Sequence, residues 1–194
     1  MYRRDFILKT AGALGMASLV LAGCTTTSPS DANADPGKRR RQIDTSIDTT
    51  MGRLYTAAPH ARELVSKANG VLVFPSVIAA GFGIGGQYGE GALRVGNKTD
   101  GYFSTASASI GLQIGAQSKA LIFLFMTQDS LNKFRNSNGW AVGADASVAV
   151  LKIGANGDID TTSVTSSVLA FVLTNSGLMA NLTLEGTKVS RLNM

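Results

Sequence analysis

Apolar residues recur with two different periods along the chain, and the change of period separates a helical region from a sheet region. From Gln42 to Ala68 they recur every three or four positions, as on one face of a helix. Pro59 interrupts this region, and proline is tolerated in the first turn of a helix but not in its interior. Two helices are therefore predicted, one ending near Ala57 and one running from Pro59 to Ala68, with Asn69-Gly70 as the stop.

Beyond Gly70 the period is two, which predicts β-strands. The clearest alternation, from Tyr102 to Gln117, predicts a long half-buried strand or a bent pair of strands. Shorter alternations predict further strands with one solvated face between Trp140 and Val150 and between Leu178 and Leu184. Three runs are apolar at every position and are expected to be central strands covered on both faces: Val71–Phe74, Ala120–Met126 and Val168–Leu173.

Turn and cap residues complete the expected fold. Asn138-Gly139, Asn156-Gly157 and Ser176-Gly177 are placed where hairpin turns are needed. A short helix is predicted over Gln128–Arg135, capped by Thr127, with Leu131 and Phe134 inward. The fold class is therefore predicted to be α+β, with N-terminal helices followed by a mostly antiparallel β-sheet curled into a sandwich or barrel.

The N-terminus has the layout of an export signal. Arg3, Arg4 and Lys9 flank the start of an uncharged stretch that ends at Leu21 and is shorter than the roughly 20 residues a membrane span needs. Leu21-Ala22-Gly23-Cys24 is a lipobox arrangement, so residues 1–23 are predicted to be a lipoprotein signal peptide and Cys24 the lipidated first residue of the mature chain.

Two further features predict the export route and the cellular location of the protein. The paired arginines resemble a twin-arginine export signal, with the general secretion route as the alternative. Thr25 is not the aspartate that retains lipoproteins at the inner membrane, so the expected location is the outer membrane, facing the periplasm.

Residues 24–41 are predicted to be a flexible tether, because Thr, Ser, Pro, Asp, Ala and Asn dominate it up to Gly37. It ends in four consecutive bases, Lys38 to Arg41, which either contact anionic lipid headgroups or form a solvated charge run. Residues 42–194 carry 11 basic and 10 acidic residues, against a net charge of +5 for the whole chain. A nucleic-acid-binding domain concentrates positive charge on its folded surface, so nucleic acid is not an expected partner.

A glycine-rich stretch is the main candidate for a chemical motif. Gly81 to Gly86 formally matches G-x-G-x-x-G, but a dinucleotide site needs a helix after the loop, and the residues that follow are again rich in glycine. The alternative is a strand with one face free of side chains, which a helix, another backbone or a lipid chain approaches closely. The glycines of that face share one parity and are Gly81, Gly83, Gly85, Gly89 and Gly91.

Catalytic and metal-binding patterns are missing from the sequence. His60 is the only histidine and Cys24 the only cysteine, so there is no Cys-His pair. Asp158 and Asp160 follow a turn but lack the remaining ligands of a calcium loop. We therefore expect no catalytic residues, no metal and no cofactor, and a protein that is not an enzyme.

Six segments of the chain strongly resemble the SYLF domain family, and the likeness spans roughly residues 42–192. The segments are 70–75, 80–91, 101–105, 109–117, 125–127 and 181–186. The resemblance implies a non-enzymatic domain that binds phospholipid or a membrane surface. It does not extend here to the actin binding of yeast members, because a tethered envelope protein has no obvious access to actin.

The resemblance also implies which bases meet lipid headgroups. Family membrane contact involves an N-terminal amphipathic helix, here Gln42 to Ala68 with Arg53, Arg62 and Lys67. Loop and helix bases that could join them are Arg94, Lys98, Lys119, Lys133 and Arg135. The alternative function is a structural or interaction module of the cell envelope whose glycine-faced strand docks a protein partner.

Overall fold

The computed structural model describes residues 35–96, 98–151, 165–175, 177–178, 184 and 186–194, with backbone alone at 81–84, 109–116 and 178. Asp35–Met194 forms one compact unit. The signal peptide, Cys24, the Asn156-Gly157 turn and most of the 178–184 stretch lie outside the described residues. The elements are α1 Pro36–Ala57, α2 Ala61–Lys67, β1 Gly70–Val95, β2 Lys98–Phe125, α3 Gln128–Asn136, β3 Trp140–Ala141, β4 Val148–Val150, β5 Val168–Thr174, β6 Gly177–Leu178 and β7 Lys188–Arg191.

The strands form one sheet in the order β3-β7-β2-β5-β4, with β1 paired to β2 and β6 paired to β5. All described pairings between named strands are antiparallel except the parallel pair of β4 with β5. The sheet curls into a half-barrel behind the N-terminal helices. The predicted fold class, α+β with a curled and mostly antiparallel sheet, is confirmed.

A long two-stranded ribbon, β1 with β2, dominates the sheet. Its register runs from Gly70 opposite Phe125 to Val95 opposite Lys98, with irregularities at Phe74/Val77, Gly81/Gly83 and Leu93/Arg94. A straight strand of 26 residues would extend roughly 85 Å, so the ribbon must curl to stay compact, and bulges bend a strand without ending it. The expectation that 102–117 and 120–126 are separate strands was therefore wrong, because both belong to β2.

The central strands are buried on both faces, as the apolar runs predicted. The helix-side core joins Ile47 and Leu54 of α1 to Ile122, Leu124 and Phe171 of the sheet. The concave-side core contains an aromatic cluster in which the Phe134 ring of α3 lies 4.9 Å from Phe103, 4.9 Å from Phe125 and 5.5 Å from Trp140 between centroids.

Helix boundaries confirm two predictions and correct a third. The break at Pro59 separates α1 from α2, and Thr127 caps α3 by accepting a hydrogen bond from the Ser130 amide. However, α1 begins at Pro36 rather than near Gln42, so the predicted tether of residues 24–41 is helical over its last six residues. Asp35 provides the N-cap by accepting from the Gly37 amide at 3.0 Å, and the fixed φ of Pro36 suits the first helical turn.

The alternation between Trp140 and Val150 does not form a continuous strand. The chain turns between β3 and β4, where Gly143 adopts a φ of 93° and Asp145 Oδ2 accepts from the Ala141 amide at 2.6 Å. Gly139 adopts a φ of 148° between α3 and β3, so Asn138-Gly139 links a helix to a strand and is not a hairpin turn. Gly177, with a φ of 117°, does belong to the predicted hairpin, between β5 and β6.

Candidate functional site

The eight nominated bases are distributed over five elements and do not form one patch. Four of them make ion pairs with acids: Lys67 with Glu63 at 2.6 Å, Lys133 with Asp129 at 2.9 Å, Arg94 with Asp48 at 2.5 Å, and Arg135 with Asp100 at 2.7 Å. Arg53 donates to the Thr174 carbonyl at 3.0 Å, and the Arg62 guanidinium lies 4.3 Å from the Tyr55 ring centroid. These contacts reduce the availability of most of the set to a lipid headgroup.

Lys98 and Lys119 are the two members of the set for which the described residues provide no ion pair, side-chain hydrogen bond or ring contact. Lys98 is exposed next to the turn between β1 and β2. Lys119 is partly buried in β2, between Val77 of β1 and Thr174 of β5. Burial lowers the pKa of its ammonium group, because a low-polarity surrounding disfavours the charged form.

The strongest concentration of positive charge lies in the first two turns of α1. We call Lys38, Arg39, Arg40 and Arg41 the basic turn. Lys38, Arg40 and Arg41 are exposed, whereas Arg39 is partly buried. The Arg40 guanidinium lies 6.0 Å from the centroid of the Tyr102 ring, within cation–π range. Three cations therefore face solvent from one helical turn.

Arg39 connects the basic turn to β1 of the ribbon through an ion pair. Its guanidinium forms a two-point ion pair with Glu90, in which Nε donates to Oε2 at 2.9 Å and Nη2 donates to Oε1. Tyr88 OH donates to the same carboxylate at 2.7 Å. The hydrogen bond with Glu90 raises the pKa of Arg39, while burial and the Glu90 contact raise the pKa of Tyr88 to about 12. This paired carboxylate orients α1 across β1.

A second junction, at Asp44, holds α1 to the turn end of the ribbon. Its carboxylate accepts from Tyr102 OH at 2.8 Å and from Thr99 Oγ1 at 3.1 Å, and Arg94 bridges Asp48 to the Asp44 carbonyl. Burial, followed by the hydrogen bond to Asp44, raises the pKa of Tyr102 to about 12. Arg94 therefore has a structural contact in α1, which its position in the sequence did not suggest.

The two raised phenol pKa values link stability to pH. Folding raises the pKa of Tyr88 and of Tyr102 from 10.0 to about 12, so the folded state holds both protons more tightly than the unfolded chain does. The corresponding stabilisation is complete below pH 10 and is lost as the pH rises from 10 to 12.

The glycine-rich stretch is part of β1, which continues without interruption to Val95. No helix follows Gly86, so the arrangement that a dinucleotide pyrophosphate requires is absent from this segment of the described chain. A Cβ added at Gly91 would lie 2.0 Å from the Val73 carbonyl oxygen, and one added at Gly89 would lie 2.6 Å from that of Ser76. At these two glycines, the close neighbour is the backbone of the first half of the same strand.

The other three nominated glycines pair within the ribbon, Gly81 opposite Gly115, Gly83 opposite Gly111 and Gly85 opposite Ser109. In the part of the chain that the structure describes, no three side chains of His, Cys, Asp or Glu gather as metal ligands. None of the described helices is both long and apolar enough to cross a membrane.

The sequence interpretation missed Arg39, Glu90 and Tyr88 as partners. It places Arg39 in the tether and assigns no role to Glu90 or Tyr88. The signal that could have found the helix start is Asp35-Pro36, an N-cap residue followed by proline at the first helical position. The pairing itself joins residues 51 positions apart, which no local pattern specifies.

Comparison with family models gives one match. Residues 106–193 match the Ysc84 family model, described as Las17-binding protein actin regulator. The matched model is that of the SYLF domain family, which the sequence resembles. It covers rather less than half of the chain and takes in β5, β7 and most of β2. No curated protein matches the chain. The SYLF resemblance inferred from the sequence is confirmed over these residues.

Proposed function

We propose that this protein is a membrane-anchored lipoprotein whose SYLF domain binds phospholipid at a membrane surface and carries out no chemical reaction. Cys24 supplies the acyl anchor, and the outer membrane, facing the periplasm, is the proposed location. The recognised SYLF domain supports a binding module, and the basic turn is the observation that carries the choice of an anionic surface as its ligand.

The electrostatics of the basic turn favour an anionic partner. The N-terminal end of a helix carries a partial positive charge, so cations there are destabilising and anions stabilising. Besides the N-cap Asp35, the first turn of α1 contains no acidic residue. The first two turns carry four bases, and Glu90 pairs with only Arg39 among them. An array of phosphate headgroups would neutralise the remaining charges, each worth about 1 kcal/mol at a membrane surface.

The position of the basic turn suits an anchor at Cys24. Helix α1 begins at Pro36, and 11 residue steps separate Asp35 from Cys24. A chain of that length reaches at most roughly 40 Å even when fully extended. Acylation at Cys24 would therefore hold the basic turn near the bilayer and raise its local concentration at the headgroups.

Vesicle flotation tests lipid binding without the anchor. The protein would be residues 24–194 carrying Cys24→Ser, which includes the whole compact unit Asp35–Met194. We expect it to float with vesicles that contain phosphatidylglycerol and to bind less as salt rises, because exposed charges are screened. Failure to float with either anionic or neutral vesicles would refute lipid binding.

A pair of matched double variants locates the contact. Lys38→Gln with Arg41→Gln removes two exposed charges from the basic turn, and Lys133→Gln with Arg135→Gln removes the same residue types from α3. Loss of two headgroup contacts should weaken binding about 30-fold, whereas the α3 pair, engaged with Asp129 and Asp100, should bind like the parent. Equal weakening by both pairs would remove the basic turn as the site.

A protein partner is the second candidate function. The matched family is described by a protein that it binds, and a shallow groove between α1 and the β5–β6 hairpin is lined by Gly52, Ala57 and Leu173. Cross-linking in intact cells that recovers one dominant protein, together with no lipid retained on purification, would favour this interaction module over the lipid-binding domain.

A further inference from the structure

The middle of the ribbon is free of charge over two paired segments. Neither residues 76–89 of β1 nor residues 104–118 of β2 contain Asp, Glu, Lys, Arg or His. The register places them side by side, from Ile78 opposite Ser118 to Tyr88 opposite Ala106. We call these two segments the neutral ribbon.

The outer face of the neutral ribbon is apolar and open to solvent. Ile78 is 55% exposed and Tyr88 is 52% exposed, and they are the exposed large hydrophobic side chains among the described residues. Ala80, Ala106 and Ala108 are exposed as well. On the same side of the sheet, the helix-side core takes Val71, Val73 and Ala92 from β1 and no described side chain of residues 76–89, so the helices do not cover this stretch.

The backbone hydrogen bonding of the neutral ribbon limits how deep it could lie in a membrane. Strand β5 pairs with β2 only from Lys119 to Phe125, and β7 pairs only with Phe103 to Ala106. Between these points, the described pairing of β2 is with β1 alone. Within the described residues, the outer-edge amide and carbonyl groups of this part of the ribbon therefore have no strand partner, and such groups need water or headgroups. Such a ribbon suits the headgroup–acyl boundary and not the hydrocarbon centre.

We propose that the neutral ribbon inserts into the headgroup–acyl boundary of a lipid layer, with Ile78 and the Tyr88 ring in contact with acyl chains. The inference rests on the proposed lipid binding and adds the element that enters the layer. Tyrosine is enriched at this boundary because its ring is apolar and its hydroxyl is polar. Here the Tyr88 hydroxyl bonds Glu90, the residue that also holds Arg39, so the ribbon and the basic turn are adjacent.

The partner that covers the neutral ribbon is inferred from the composition of the ribbon and from the proposed anchor at Cys24. The neutral ribbon contains no charged residue, and its described exposed side chains include Ile78, Tyr88 and three alanines, so it presents no charge for a charged partner to recognise. The roughly 40 Å limit on the chain between Cys24 and Asp35 keeps the ribbon near the layer that holds the acyl group. A lipid layer is therefore the occupant, and the adjacent basic turn meets its phosphates.

An environment-sensitive fluorophore at position 78 tests the insertion. Cys24 is the only cysteine, so Cys24→Ser with Ile78→Cys gives one labelling site for a nitrobenzoxadiazole probe on residues 24–194. Asn136→Cys at the exposed end of α3 gives the control site. With phosphatidylglycerol vesicles, we expect a blue shift and quenching by shallow spin-labelled lipids at position 78, and neither at position 136.

A charge placed on the ribbon gives a second measurement. Ile78→Asp should weaken vesicle binding about tenfold, whereas Ile78→Leu and the charge-matched control Asn136→Asp should bind like the parent. Circular dichroism would confirm that each variant is folded, which is expected because both positions are exposed.

The outcomes separate this inference from the proposed function. Flotation of the parent with an unchanged spectrum at position 78 and full binding by Ile78→Asp would overturn ribbon insertion and leave lipid binding intact. A parent that does not float would overturn both. A spectral change produced by a purified envelope protein and not by vesicles would assign the ribbon to a protein partner and overturn the lipid assignment.

Discussion

Replacing Gly91 with alanine tests the curl of the ribbon, because this glycine lies where β1 folds back over its own beginning. A Cβ there would lie 2.0 Å from the Val73 carbonyl oxygen, 2.8 Å from the Val73 carbonyl carbon and 2.8 Å from Cδ1 of Phe74. An ordinary contact between an aliphatic carbon and a carbonyl oxygen is about 3.3 Å. The new methyl group would overlap the Val73 oxygen by more than an ångström.

The cost of this overlap follows from the atoms involved. Side chains that rotate away limit the cost of overpacking to about 1–3 kcal/mol. The main obstacle at Gly91 is backbone, and the sheet holds both segments in place, since Val73 pairs with Ile122 and Gly91 pairs with Phe103. We therefore expect Gly91→Ala to lower the free energy of unfolding by about 3 kcal/mol or more.

Urea denaturation followed by circular dichroism measures this difference, with Gly86→Ala as the matched control. At Gly86 the nearest atom to an added Cβ is Ser107 O at 4.0 Å, an ordinary contact. Alanine there should change stability by no more than about 1 kcal/mol in either direction, since it also reduces the freedom of the unfolded chain. Gly89→Ala, with its nearest contact at 2.6 Å, should fall between the two.

The relative stabilities of the three variants test whether the ribbon curls at Gly91. If Gly91→Ala unfolds at the same urea midpoint and with the same slope as Gly86→Ala, β1 does not fold back at Val73 and the curl is refuted. A Gly91→Ala chain that fails to fold agrees with the expectation, and the graded loss at Gly89 then supplies the quantitative comparison.

Three further perturbations address the core, the pH dependence and the basic turn. Phe134→Ala should cost about 3–5 kcal/mol in urea denaturation, because its ring is buried and contacts three other aromatic rings; a loss below about 1 kcal/mol would contradict that packing. The melting temperature should fall as the pH rises from 10 to 12, and Tyr88→Phe combined with Tyr102→Phe should flatten this fall; an unchanged slope would refute the phenol contribution. Glu90→Gln should destabilise the fold by about 1 kcal/mol and increase binding to anionic vesicles at low salt, because the charge of Arg39 is no longer neutralised; weaker binding would contradict this.

Features set by neighbouring residues were predictable from the sequence. The break at Pro59, the Thr127 cap and the three apolar runs each depend on a local preference or a short period, and each lies where it was predicted. The alternation from Trp140 to Val150 failed for a local reason as well, because the positive φ of Gly143 turns the chain and overrides the period.

The candidate site was less predictable, because its contacts join distant parts of the chain. The sequence identifies the basic residues, but it does not show which of them can reach a lipid headgroup. That depends on acids elsewhere in the chain, such as Asp48 for Arg94 and Asp100 for Arg135. The basic turn became part of the fold only because α1 begins at Pro36 and Glu90 lies within reach of Arg39.

The sequence by itself determined the class of fold, the SYLF resemblance, the helix break at Pro59, the position of α3 and the buried strands, since period, caps and proline act over a few residues. Tertiary structure decided that the apolar runs extend into one curled ribbon, that Gly91 meets Val73, and that β4 lies parallel to β5. Those outcomes depend on which distant segments approach each other, and the pattern of polar and apolar positions along the chain does not specify long-range contacts.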